Sequence, residues 1–188
     1  MEEFKEFNQL LSPDDRNLYF CVTNTSTGES RSLTLDDIYS SVNEINLLDV
    51  VPDDIQSQFN IAKNLAVYSW FSYPLHQISE MKAFSTVEQA LKCCLGKHKY
   101  GFKGLLKKAV QLGMLKDQGY RHISTPNDSS CIEYVSKLPD IMPSLRNSLA
   151  HGGTTLHPDS ITNLQICCDT INQLYKNGSS RNPVGKKL

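Results

Sequence analysis

Between residues 55 and 95 apolar side chains recur at helical spacing, with one proline in the middle. Ile55, Phe59, Ala62, Ala66, Trp70 and Tyr73 form the first half; Leu75, Ile78, Met81, Phe84, Val87, Leu91 and Leu95 form the second. A period near 3.6 over this length sets one stripe of a helix against a core. It does not fit a strand, whose side chains alternate with period two. Pro74 has no N–H to donate, so it kinks or divides the helix, and Gly96 ends the pattern. Val51-Pro52-Asp53-Asp54 reads as the start, with a proline and two acids where first-turn N–H groups lack partners.

Further helices are expected at 105–112, closed by Gly113; at 131–138, interrupted by Pro139; over a short stretch with Pro143 in its first turn, ending at Gly152-Gly153; and from Pro158-Asp159 to about 177. Ahead of them, 18–23 is rich in β-formers, 24–29 is turn-like, 30–35 can return as a second strand, and 36–47 reads as a helix. The expected architecture is mainly α. A helical bundle occupies 51–177, a small acidic α+β appendage 1–50, and a basic tail 178–188. With 39 % apolar residues the chain can bury a core.

The six cysteines form no Cys-x-x-Cys pair. Cys93-Cys94 and Cys167-Cys168 sit inside apolar helical patterns and read as small core residues. Tyr68, Trp70, Phe71 and Tyr73 read as core or interface. The histidines outside the motif below show no zinc spacing, so neither a metal nor a cofactor is expected. The first residues, Met-Glu-Glu-Phe-Lys-Glu-Phe, lack a basic n-region and an apolar h-region, and no apolar run is long enough to span a membrane. A cytoplasmic protein is expected.

The net charge of −1 conceals a split. Residues 1–60 hold twelve acids against three bases, and residues 61–188 hold eight acids against sixteen bases. A basic body points to an anionic partner, RNA first, although the two halves can also simply neutralise each other. Lys97, Lys99, Lys103, Lys107 and Lys108, with Tyr100 and Phe102 interleaved, fit a strip that tracks a phosphate backbone and stacks bases. They equally fit a solvated loop and helix face.

The chemistry concentrates in Arg146-Asn147-Ser148-Leu149-Ala150-His151. On a helix Arg146 and His151 lie about 140° apart in azimuth and about 7.5 Å apart in rise. The glycines at 152 and 153 are expected to end the helix there and let the imidazole turn toward the arginine. Histidine titrates near neutrality and suits general acid–base work. Arginine offers a permanent charge and a planar fork for phosphate, and Asn147 can orient either. Glu88 lies on an apolar helix stripe, where a carboxylate needs a partner, and Arg146 is the candidate. The plain alternatives are a capping Arg/His pair and an exposed Glu.

Arg-Asn-Ser-Leu-Ala-His-Gly resembles the R-x4-6-H motif of the HEPN superfamily, and 84–92, Phe-Ser-Thr-Val-Glu-Gln-Ala-Leu-Lys, is similar to that family's second core helix, where an acidic residue often faces the site. The resemblance covers about 53–177 and leaves 18–48 unexplained. It implies an antiparallel HEPN-like bundle that forms a homodimer, bringing two motifs into one cleft. It also implies metal-independent endoribonuclease activity by 2′-hydroxyl attack, with Arg146, His151, Asn147 and Glu88 at the site. A role as a toxin or phage-defence (abortive-infection) effector with a cognate antitoxin is part of that expectation. Other family members are non-catalytic modules that bind RNA, nucleotide or protein. A further expectation concerns the acidic N-terminus, which can fold over the basic body as an internal mimic of RNA.

Overall fold

The computed structural model describes residues 3–96, 99–123, 131–151 and 160–178. The fold is mainly α. Among the described residues, α1 (Leu35–Asn43), α2 (Asp53–Tyr68), α3 (Leu75–Leu95), α4 (Phe102–Gln111), α5 (Leu138–Ala150) and α6 (Ile161–Gly178) surround one apolar core. A single hairpin of β1 (Cys21–Thr23) and β2 (Ser30–Ser32) precedes them. No described helix is long and apolar enough to cross a membrane.

Pro74 divides the long periodic segment and does not kink it. The chain turns at 69–74, and α3 packs back along α2. α3 is the hub, touching α2, α4, α5 and α6. Ile55 and Phe59 of α2, Phe84 and Leu91 of α3, Leu105 of α4 and Leu164 of α6 are buried almost completely. Each such side chain contributes about 1.5–3 kcal/mol through loss of water contact. Trp70 and Tyr73 are buried as expected, while Tyr68 is exposed. Cys167 and Cys168 lie in the core, but Cys93 points to solvent and Cys94 is half-buried. Helix azimuth separates adjacent residues by about 100°, so a neighbouring pair need not share a face.

Several expected boundaries move. The first strand begins at Cys21, because Asp15–Tyr19 forms a 3₁₀ turn capped by Asp14, which accepts the Arg16 N–H at 3.1 Å. The strands pair Cys21 with Ser32 and Thr23 with Ser30, and Gly28 takes φ +76° in the intervening turn. α1 starts at a full capping box between Thr34 and Asp37 and ends at Asn43, with Ile45 buried beyond it in the connection. Gly96 and Gly113 follow α3 and α4 at positive φ. Residues 133–137 are turns, not the expected helix. Asp117 accepts the N–H groups of Tyr134 at 3.0 Å and Val135 at 2.9 Å, which holds this stretch in a lead-in to α5. Pro139 then sits in the first turn of α5, where no N–H is needed, and Pro143 lies inside the helix. Gly152-Gly153 and most of the expected basic tail fall outside the described residues.

The acidic segment before residue 51 is packed into the bundle. Ile38, Val42 and Ile45 join the common core. Asp14, only 7 % exposed, donates its N–H to Trp70 O at 2.8 Å and accepts the Tyr73 N–H at 2.9 Å. Asn17 Nδ2 donates to the carbonyls of Ser69 and Trp70. Burial alone would raise the Asp14 pKa. Hydrogen bonds from the Arg16 side chain and from the Tyr73 and Arg16 N–H groups outweigh it and hold the carboxyl at about 2. A depressed carboxyl contributes stability above its unfolded pKa near 4 and loses it as pH falls through the folded value. Urea midpoints of wild type should therefore fall more steeply than those of Asp14→Asn between pH 4 and pH 2. Parallel curves would show that the clamp contributes nothing.

Candidate nucleic-acid interface

Leu138, Met142, Leu145 and Leu149 recur at three- and four-residue spacing along α5 and face the core. That leaves Pro143, Arg146, Asn147 and His151 on one outward sector. Relative to Arg146 they fall at azimuths of about 60°, 100° and 140° for Pro143, Asn147 and His151. α4 is divided the same way, with Phe102, Leu105, Leu106 and Ala109 inward and Lys103 and Lys107 outward. The outward sectors of α4 and α5, with Glu88 of α3, bound an open groove of about 550 Å³. Phe102 and Pro143 supply its apolar surface, and Lys103, Lys107, Arg146 and Asn147 its polar surface.

Arg146 is held from three sides. Its Nη2 donates to Glu88 Oε2 in an ion pair, and its Nη1 donates to Asn147 Oδ1 at 3.3 Å. Its Cζ lies 5.8 Å from the centroid of the Phe102 ring, within cation–π range. The Arg146 side chain remains 30 % exposed, so it is both held and partly accessible. The second Glu88 oxygen takes Lys92 Nζ at 2.7 Å. Burial would raise the Glu88 pKa, but hydrogen bonds from Lys92 and Arg146 prevail and lower it. The carboxylate is thus charged at neutral pH and carries two cations.

Of the expected lysines, Lys103 and Lys107 line the groove. Lys99 is exposed but outside the lining, and Lys108 lies over 100° from Lys103 on α4 and is half-buried. Lys97 is outside the described residues. Lys103 is already engaged, with its Nζ 2.5 Å from Asp140 Oδ1. Tyr100 packs over the first turn of α4, where a Cβ on Gly104 would come within 3.0 Å of the Tyr100 Cβ. His151 caps α5, its N–H bonded to Asn147 O at 3.0 Å, and its ring is exposed. It is not among the residues lining the groove. It lies one helical turn beyond Asn147 along α5.

Three contributors escaped the sequence reading. Lys92 had a signal in its i,i+4 spacing from Glu88. Asp140 and Pro143 had none, because their place depends on where α5 begins. Among the described residues, none before Glu88 lines the groove.

No family model, curated protein or solved structure matches this chain.

Proposed function

We propose that this protein is a metal-independent endoribonuclease of the HEPN type, with an antiparallel HEPN-like bundle and a site composed from two copies of the chain. One observation carries the reading. The permanent cation of the motif is fixed by a half-buried carboxylate at the edge of a basic groove. A guanidinium held in this way needs little reorganisation to meet a phosphate.

In the proposed reaction the RNA phosphate sits against Arg146, with Lys103 and Lys107 on flanking phosphates. His151 of one copy takes the proton from the 2′-hydroxyl as that oxygen attacks the adjacent phosphorus. The P–O5′ bond breaks, and a second imidazole, His151 of the other copy, protonates the leaving oxygen. Arg146 balances the charge that builds on the phosphorane oxygens, and Asn147 orients the guanidinium. The products are a 2′,3′-cyclic phosphate and a 5′-hydroxyl. A cytoplasmic toxin or phage-defence effector with a cognate antitoxin is the biological role this chemistry suits.

The test is cleavage of a broad RNA panel in EDTA, with expression toxicity alongside. Wild type should cut RNA and slow growth. Arg146→Ala should lose about 10²–10³-fold in rate, the usual cost of removing one charge-stabilising donor. Equal cleavage by both proteins would end this reading. Asp140→Asn gives a separate check on the groove. Freed from Asp140, Lys103 should bind RNA a few-fold more tightly at fixed salt. Unchanged or weaker binding would mean that Lys103 does not meet phosphate.

A second reading, a non-catalytic RNA-binding module, draws support from the position of His151 outside the groove lining. It requires salt-sensitive RNA binding that survives His151→Ala, with no cleavage by either protein.

A further inference from the structure

We propose that the cavity between the N-terminal hairpin and the bundle binds a small, neutral, planar heteroaromatic molecule that donates an N–H group. The cavity shares no lining residue with the groove, and its occupancy is independent of the function proposed above.

The cavity measures about 310 Å³ and is built by parts of the chain far apart in sequence. Asn17 and Phe20 come from the segment leading into β1, Ile38 and Ser41 from α1, His76 from α3 and Ile161 from α6. At about 30 Å³ per water it holds about ten waters, the room of a ligand with about ten non-hydrogen atoms. Ligand sites are typically apolar clefts with a few fixed polar groups, and this cavity is at the small end of their size range.

The polar groups of the lining select a donor. Asn17 is only 1 % exposed. Its Nδ2 donates to Ser69 O and Trp70 O, both at 3.0 Å, which fixes the amide and turns Oδ1 away from those carbonyls. No described residue donates to that Oδ1. The oxygen is not sealed in, because the residue opens on the cavity. A carbonyl oxygen removed from bulk water without a donor costs free energy, and a ligand N–H supplies the missing bond. The Ser41 hydroxyl proton is committed to Asp37 O at 2.9 Å, so its oxygen also accepts. Asp37 is the one carboxylate of the lining, and Arg31 pairs with both of its oxygens at 2.6 Å. That pairing leaves no net charge at the rim to draw an ion, which selects a neutral ligand. His76, 4 % exposed, is tied through Nδ1 to Ser160 Oγ at 2.8 Å.

Phe20 selects flatness. Its ring lies parallel to that of Tyr73, with 6.2 Å between centroids and 4° between planes. Tyr73 stands outside the lining and Phe20 within it, so the cavity meets the part of the Phe20 ring that Tyr73 leaves uncovered. A planar π-system placed there extends the stack.

Alkylation of the full chain by iodoacetamide at neutral pH, read cysteine by cysteine by mass spectrometry, tests this. Cys21 is exposed and lines the cavity, while Cys93, exposed on α3, lies outside it and serves as the reference. Benzimidazole, a planar ring with an N–H donor, should slow Cys21 alkylation at least about threefold at millimolar concentration and leave Cys93 unchanged. 1-Methylbenzimidazole, the same ring without the donor, should need about tenfold more for equal protection, the loss expected for one hydrogen bond to a desolvated acceptor. Ser41→Trp, at an exposed position of the lining, should abolish the protection without moving the melting temperature. No protection at about 10 mM benzimidazole, equal protection by the methylated ring, or protection that survives Ser41→Trp overturns the proposal.

Discussion

His151→Ala should lower RNA cleavage by about 10²–10⁴-fold, the range supplied by one positioned acid–base group, and leave the fold intact. The side chain is exposed, and the hydrogen bond it caps with is made by its backbone N–H, which alanine keeps. A surface substitution of this kind changes stability by no more than about 0.5 kcal/mol, or about 2 °C in a chain of this size. The two readouts together separate chemistry from folding. A large loss of activity with an unchanged melting temperature assigns His151 to the reaction. Activity within about threefold of wild type would remove it from the mechanism.

Asp117→Ala should have the largest effect on stability, about 2–4 kcal/mol, and should disturb the site from a distance. The side chain is 2 % exposed and accepts the N–H groups of Tyr134 and Val135 and the Cys131 thiol. Alanine leaves the buried Val135 amide and the half-buried Tyr134 amide without an acceptor, at up to about 1–3 kcal/mol each before relaxation. The melting temperature should fall by about 4–16 °C. Because residues 133–137 lead directly into α5, RNA cleavage should weaken as well. Burial tends to raise the Asp117 pKa, but the Val135 and Tyr134 hydrogen bonds, with that of Cys131, lower it overall. Its contribution is therefore present above the ordinary carboxylate range near pH 4 and is lost below it. A melting temperature within about 2 °C of wild type would mean that the lead-in to α5 is held by other contacts.

What sequence could reveal here was set by how local each cause is. The helices of the hub were legible because burial of one face imposes a period that can be read residue by residue. Glu88 was legible as a partner for Arg146, since a carboxylate on an apolar stripe must meet a cation. The start of α5 was not. Pro139 reads as a breaker and Pro143 as a first-turn residue, yet Pro139 occupies the first turn, which needs no N–H, and Pro143 lies inside the helix, where it removes a hydrogen bond. Asp117 and Asp14 were also hidden. Each carboxylate works on backbone groups far along the chain, and no spacing announces such a contact. The same holds for Asp140 against Lys103. The azimuth of His151 was readable, but its position outside the groove lining emerged only from the packing of α4 against α5.

In the proposed reaction the 2′-hydroxyl of the RNA is the nucleophile, with His151 taking its proton and Arg146 balancing the phosphorane charge. This reaction is tested most directly by end-group analysis of RNA cut by wild-type protein in EDTA, with a matched substrate carrying a single 2′-deoxy nucleotide at the cut. The expected products are a 2′,3′-cyclic phosphate and a 5′-hydroxyl on the first substrate, with no cleavage of the second. Fragments ending in a 3′-hydroxyl and a 5′-phosphate, or cleavage indifferent to the 2′-deoxy substitution, would contradict it.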